Sequence, residues 1–178
     1  TINAYTTEVA DFSSVTAISA SAASAVQTLY TAFADNEVTG LGDETIAVND
    51  ASLAASTLNI INGYTTGVVT FSGSTLTGSA TDVAASYAAF TAGTLAGLNN
   101  ETVTITSTTS AAADLKAIDL ATSGVVTVNS TTITGNYADL NTVYTANGAG
   151  TIAGLGDEAI TASGTISVAN ANTLSGFT

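Results

Sequence analysis

The chain has 178 residues, and 46% of them are hydrophobic, so it can build a core and is not a disordered polar segment. Fourteen acidic residues stand against a single basic residue, Lys116, which gives a formal net charge of −13. Such a charge repels phosphate backbones and argues against a nucleic-acid-binding protein. No apolar run approaches the roughly 20 residues that a membrane-spanning helix needs, so no membrane insertion is expected.

The first elements follow a short motif at residues 2–7, Ile-Asn-Ala-Tyr-Thr-Thr, which returns at residues 61–66 with a single change. Val26 and Tyr30 have helical spacing and predict a helix. A glycine-containing turn with the sequence Gly-Leu-Gly-Asp-Glu then occupies residues 40–44. The first copy is therefore expected to alternate helical and extended segments.

The next stretch changes from the period of a strand to that of a helix. Val68–Phe71 and Ser74–Thr77 are rich in β-branched residues and predict two short strands. Ser79, followed three residues later by Asp82, predicts the start of a helix that carries Tyr87 on its inner face.

The same order of elements follows twice more. The turn at residues 97–101 precedes a predicted strand at Thr102–Ile105 and a helix through Leu115. Asn136, with Asp139 three residues later, predicts the start of a further helix.

A constant interval relates these segments. The turn sequence occurs at residues 40–44, 97–101 and 154–158, and Tyr30, Tyr87 and Tyr144 keep the same interval. The chain therefore divides into three copies, residues 1–60, 61–117 and 118–178, which we expect to form one continuous solenoid.

Each copy holds two predicted strand-turn-strand-helix coils of about 28 residues. A coil of this size cannot bury its own apolar face, so it must stack on its neighbours. The expected fold class is α/β, a repeat solenoid with parallel sheet on one side and short helices on another. A doubly wound globular domain is the alternative, but such a domain would not require the sequence to repeat.

Three stretches carry a resemblance to a known family. They are DASLAASTLN at residues 50–59, GLGDEAIT at 154–161, and TLTG at 75–78 leading into the Asp82-Val83 helix. In these stretches the chain resembles tandem arrays of very large predicted cell-surface or secreted proteins of aquatic bacteria, cyanobacteria among them. Asn100 departs from the pattern, because the other copies have Asp there. The resemblance implies a cell-surface or filament role.

Few side chains are available for catalysis. The chain contains no His or Cys and one Lys, so nucleophilic triads and the usual general bases are missing. A pair of carboxylates could hydrolyse glycosides. However, residues repeated three times at a fixed spacing indicate architecture more than one active site, and we expect the protein not to be an enzyme.

The repeated turns are the best candidates for an ion site. Asp43, Glu44, Glu101, Asp157 and Glu158 place carboxylate oxygens in or beside glycine turns, and such hard ligands suit Ca²⁺. The pattern lacks the ligand spacing of an EF-hand or of a calcium β-roll. Two interpretations stay open: calcium as a bound cofactor, or solvated turns without a cofactor in which Gly supplies a positive φ.

Three other patterns have weaker functional interpretations. The three evenly spaced tyrosines could stack sugars, but their helical spacing favours the core. Thr102–Thr106 alternates like an ice-binding face, although only the middle copy has the run. Asn100 and Asn129 begin N-glycosylation sequons, which makes glycans candidate partners.

The sequence thus predicts an acidic structural protein, extracellular or on the cell surface, that self-associates into a filament or surface layer. Open solenoid ends favour self-association, because another copy can cover their apolar surface and strand edges. The alternative is a stalk, spacer or binding module of a large adhesin, in a form that depends on calcium or in one that does not.

Overall fold

The structure, a computed structural model, describes residues 8–178, and the motif at residues 2–7 lies outside them. Every strand pair among these residues is parallel. The strands are β1 (Ala10–Asp11), β2 (Ala17–Ser21), β3 (Val38–Thr39), β4 (Thr45–Val48), β5 (Ser52–Ala54), β6 (Val69–Phe71), β7 (Thr75–Gly78), β8 (Leu95–Ala96), β9 (Thr102–Ile105), β10 (Thr109–Ala111), β11 (Val126–Val128), β12 (Thr132–Asn136), β13 (Ile152–Ala153) and β14 (Ala159–Ser163). The helices are α1 (Ala23–Ala34), α2 (Ala55–Asn62), α3 (Ala80–Ala92), α4 (Ala112–Ala121), α5 (Tyr137–Ala149) and α6 (Val168–Ser175).

The described chain winds through six coils, which alternate between two kinds. Short coils hold two strands and a helix of 12 or 13 residues: coil 1 (β1, β2, α1), coil 3 (β6, β7, α3) and coil 5 (β11, β12, α5). Long coils contain an acidic turn after their first strand and have a helix of 8 to 10 residues: coil 2 (β3, β4, β5, α2), coil 4 (β8, β9, β10, α4) and coil 6 (β13, β14, α6). Each helix contacts the helix of the next coil. The predicted α/β solenoid is confirmed.

The long helices of coils 3 and 5 begin where the sequence places them. The side chains of Ser79 and Asn136 accept hydrogen bonds from the backbone N–H groups of Asp82 and Asp139, three residues later. Gly93 ends the helix of coil 3 in the left-handed conformation with φ of 80°. Local capping therefore fixes both ends of the helix that carries Tyr87.

Along a strand ladder, two coils span fewer residues than one copy of the sequence repeat. Ile46 in coil 2 pairs with Val69 in coil 3, and Val69 pairs with Leu95 in coil 4. Two coils after Ile46, the strand ladder therefore reaches Leu95. In the sequence repeat, however, the residue equivalent to Ile46 is Val103, which lies further along the chain. Val103 accordingly lies in a different sheet, beside Leu76.

The expected coils of about 28 residues, built from strand, turn, strand and helix, are observed with one difference. Long coils 2 and 4 carry one more strand than predicted, and that strand, β5 or β10, belongs to a further sheet. As a result the sheets are staggered, in the orders β1-β3, β2-β4-β6-β8, β5-β7-β9-β11-β13 and β10-β12-β14.

One apolar core runs through all six coils. Alternate strand residues such as Ile46, Val48 and Leu76 point inward and are fully buried. Helix residues such as Leu58 and Val83 pack against them. The intervening strand positions are mostly Thr, Ser and Ala.

The copies differ in how they fill one part of this core. A Cβ at Gly73 would collide with the backbone carbonyl of Asp50 and with the Phe71 ring. The next copy has Val128 in place of the ring and Ser130 in place of the glycine. Ser130 is buried, and its hydroxyl lies 2.7 Å from that of Ser110. A smaller apolar residue thus leaves room for a hydrogen-bonded serine.

Candidate functional site

The acidic turns, residues 40–44, 97–101 and 154–158, are the feature that all three copies share most closely. Each joins the first strand of a long coil to the second. The leading glycines, Gly40, Gly97 and Gly154, have φ of 79°, 87° and 88°. A Cβ at any of them would collide with the backbone of the preceding short coil. Glycine is therefore required both by the conformation and by the close approach.

Each acidic turn folds around the glutamate that ends it. Glu44, Glu101 and Glu158 expose 0%, 3% and 4% of their surface. In each turn the backbone N–H two residues earlier, from Gly42, Asn99 or Gly156, donates to Oε2 over 2.8 Å. The N–H of the residue just before the glutamate also donates over 3.2 Å in the first and third turns. The carboxylate therefore holds its own turn closed.

A tyrosine from the preceding short coil contacts the second carboxylate oxygen. The hydroxyl of Tyr87 donates to Oε1 of Glu101, and that of Tyr144 donates to Oε1 of Glu158. Burial, followed by the hydrogen bond to glutamate, raises the pKa of both tyrosines well above the ordinary value. Tyr30 is buried as well, so the placement of all three tyrosines in the core is confirmed.

The first copy departs from this pattern. Within residues 8–178, neither the Tyr30 hydroxyl nor Oε1 of Glu44 has a hydrogen-bond partner. The Tyr30 ring stacks on Tyr64, with centroids 4.4 Å apart and planes at 10°. Tyr144 combines both interactions, because its ring also stacks on Phe177 at 4.9 Å. The contacts of this tyrosine thus differ between the copies: ring stacking in the first, a hydrogen bond to glutamate in the second, and both in the third.

The structure separates the five proposed calcium ligands. The side chains of Asp43 and Asp157 are exposed, whereas the three glutamates are buried and hydrogen-bonded through Oε2 inside their turns. No group of three or more acidic, His or Cys side chains that could hold a metal ion occurs in the described part of the chain. The observed contacts give the glutamates a structural role, and calcium binding at these turns stays a prediction.

Two open grooves lie beside the first and third acidic turns, where a long coil meets the preceding short coil. One, of about 420 Å³, lies between Ser13 and the turn from Gly40 to Asp43. The other, of about 360 Å³, is lined by residues 128–131 and by Asp157 and Glu158. The two grooves thus occupy equivalent positions in the first and third copies.

Sequence patterns alone do not predict the contact between tyrosine and glutamate. Its signal is the constant spacing of 14 residues between the two side chains, which all three copies share. A buried acid without a basic partner is uncommon. For that reason the sequence favours solvated turns, whereas the structure encloses the glutamates.

The remaining candidates lie on the outer surface. Asn100 and Asn129, which begin the sequons, are exposed, and glycosylation there stays a prediction. Thr104 lies in a parallel ladder between Thr77 and Thr127, so neighbouring coils extend the threonine run of the middle copy sideways. Among the described residues, no helix is long and apolar enough to cross a membrane.

Comparison of the chain with models of protein families, with curated proteins and with solved structures finds no match.

Proposed function

We propose that this chain is a non-catalytic structural repeat protein, extracellular or on the cell surface, that contributes to a filament or surface layer by associating with further copies of itself. The observation that carries the proposal is the apolar groove on coil 6. Two of its lining residues, Ile160 and Ala162, occupy positions that are fully buried in the equivalent long coils 2 and 4. Solenoids of this kind gain stability when a neighbour covers such a face.

The surface of the chain agrees with a structural role. Charged residues make up only 8% of the sequence, and the outer positions of the strands are largely hydroxyl side chains. The acidic turns use their carboxylates to close their own backbone. In every copy the most strongly repeated chemistry thus supports the coil itself.

Electron microscopy of the purified protein, combined with sedimentation velocity over a range of concentrations, tests this proposal. Filaments or sheets with a regular axial repeat, and a sedimentation coefficient that rises with concentration, are the expected result. A chain that stays monomeric at the highest soluble concentration would contradict it.

The second candidate function is a stalk or spacer of a larger adhesin. It is favoured by the linear order of the helices, each of which contacts the helix of the next coil. Isolated rods without lateral or end contacts in the same micrographs would support this role. If either assembly depends on calcium at Asp43 or Asp157, a chelator lowers the melting temperature, and an unchanged melting temperature removes the ion from both proposals.

A further inference from the structure

We propose that coil 1 of one chain stacks on coil 6 of a second chain, head to tail, in the register that joins long to short coils within the chain. This inference rests on the proposed self-association and specifies which surfaces meet. The partner is therefore a second copy of this chain, bound through coil 1 and coil 6.

The outer face of coil 6 is an open apolar groove. It has a volume of about 320 Å³ and lies between β14, the following loop and α6. Its apolar lining consists of Ile160, Ala162, Ile166, Ala171 and Leu174. The two alanines are exposed, and both isoleucines are half-buried.

The same positions are core positions elsewhere in the chain. Ile46 and Val48 in coil 2, and Val103 and Ile105 in coil 4, are the sequence equivalents of Ile160 and Ala162, and all four are fully buried. In each case the first strand of the next short coil covers them, β6 in coil 3 and β11 in coil 5. Coil 6 therefore exposes a face that is buried in the other long coils, where the next short coil covers it.

Coil 1 is a short coil and presents the complementary face. Ala10, Phe12 and Ile18 are only half-buried there. Their equivalents in coil 3 are Val69, Phe71 and Leu76, which are exposed by 1% or less. Both ends of the described chain thus leave the same junction half-formed.

The internal junctions fix the expected register. β4 pairs with β6 in one continuous register, which runs from Ile46 opposite Val69 to Val48 opposite Phe71. Transferred to two chains, Ile160 lies opposite Ala10 of the second copy, Thr161 opposite Asp11, and Ala162 opposite Phe12. A head-to-tail contact of this kind uses two different surfaces and leaves both outer ends free, so it adds chains in a line.

The first test places a charge on the groove. In the single chain Ala162 and Ala171 are exposed, so Ala162→Glu and Ala171→Glu should leave its melting temperature nearly unchanged. In the junction each carboxylate would be buried without a partner, which should weaken association by at least about tenfold in sedimentation velocity. The matched control is Thr70→Glu, which adds the same charge to an exposed strand position of coil 3.

The second test reports the register directly. The chain contains no cysteine, so a double variant carries only the introduced pair. In the proposed junction, Asp11→Cys with Thr161→Cys brings Cα atoms within about 5 Å across adjacent strands, inside the range of a disulfide. Mild oxidation should give covalent dimers and longer ladders on a non-reducing gel. Asp11→Cys with Ser163→Cys is the control, because it displaces one thiol by about 7 Å along the strand.

The outcomes separate this inference from the broader proposal. Loss of association in the groove variants together with in-register cross-linking supports the head-to-tail junction. Association that survives Ala162→Glu and Ala171→Glu, or equal cross-linking of both cysteine pairs, overturns the junction and leaves self-association through another surface. A wild-type chain that never associates overturns both.

Discussion

Replacing the three equivalent tyrosines by phenylalanine tests the acidic-turn contacts inside one molecule. Each change removes a hydroxyl and leaves the ring in place. At Tyr87 and Tyr144 the hydroxyl donates to a buried glutamate, whereas at Tyr30 it has no hydrogen-bond partner in the described structure. The chain thus supplies its own matched control.

The expected effects follow from these contacts. A hydrogen bond to a charged group contributes about 1.5 to 3 kcal/mol, so Tyr87→Phe and Tyr144→Phe should each lower the free energy of unfolding by about 2 kcal/mol. Tyr30→Phe should be neutral or slightly stabilising, because it removes a buried hydroxyl that lacks a partner. For a chain of this size, about 1 kcal/mol corresponds to about 2 to 4 °C in melting temperature.

Thermal and urea unfolding, followed by far-ultraviolet circular dichroism, measure the series. The expected order of stability places Tyr30→Phe with the wild type and the other two variants clearly below it. Glu101→Gln combined with Tyr87→Phe should cost less than the sum of the single changes, since the two side chains share one hydrogen bond. Equal losses for Tyr30→Phe and Tyr87→Phe would refute the structural role assigned to the contact.

The remaining predictions concern pH and glycine. The raised pKa of the two hydrogen-bonded tyrosines gives a contribution to stability that is present in full below pH 10.0 and is lost as the pH rises above it; urea titrations should show the free energy of unfolding falling there, and a flat profile would contradict this. Gly97→Ala should lower the melting temperature more than Gly93→Ala, because both glycines have positive φ but only Gly97 touches backbone. Gly73→Ser should cost about 1 to 3 kcal/mol through its clashes with the Asp50 backbone carbonyl and the Phe71 ring, and adding Phe71→Val should recover the part that the ring causes, in the same assay.

The elements that could be predicted are those with a local cause. Ser79 caps its helix through its own side chain, and strands such as β9 alternate apolar and hydroxyl residues, so both signals lie within a few residues. β10 gives no such signal, because its residues, Thr-Ser-Ala, are polar or small. It is a strand because β12 pairs with it. The sequence therefore predicts two strands where coil 4 contains three.

The burial of the glutamates depends on contacts between coils. Glu101 follows a glycine turn, a setting typical of solvated acids, and only the stacking of coil 3 brings Tyr87 over it. The constant spacing between tyrosine and glutamate accompanies that contact, but the spacing alone does not indicate which side chains touch. For the same reason, five carboxylates that suit calcium by type are divided in space between exposed aspartates and enclosed glutamates.

Two coils span fewer residues along a strand ladder than one copy of the sequence repeat, and this mismatch explains how the sheets at coil 1 and coil 6 are built. New sheets begin in coils 1, 2 and 4, so no sheet in the described chain exceeds five strands, and the helices alone stack in sequence through all six coils. The strand that coil 1 offers to β14 is short, because β1 has only two residues. Backbone pairing at such edges offers few hydrogen bonds. An end-to-end junction must therefore draw its strength from side-chain burial, which is why single charges at Ala162 or Ala171 should disrupt it.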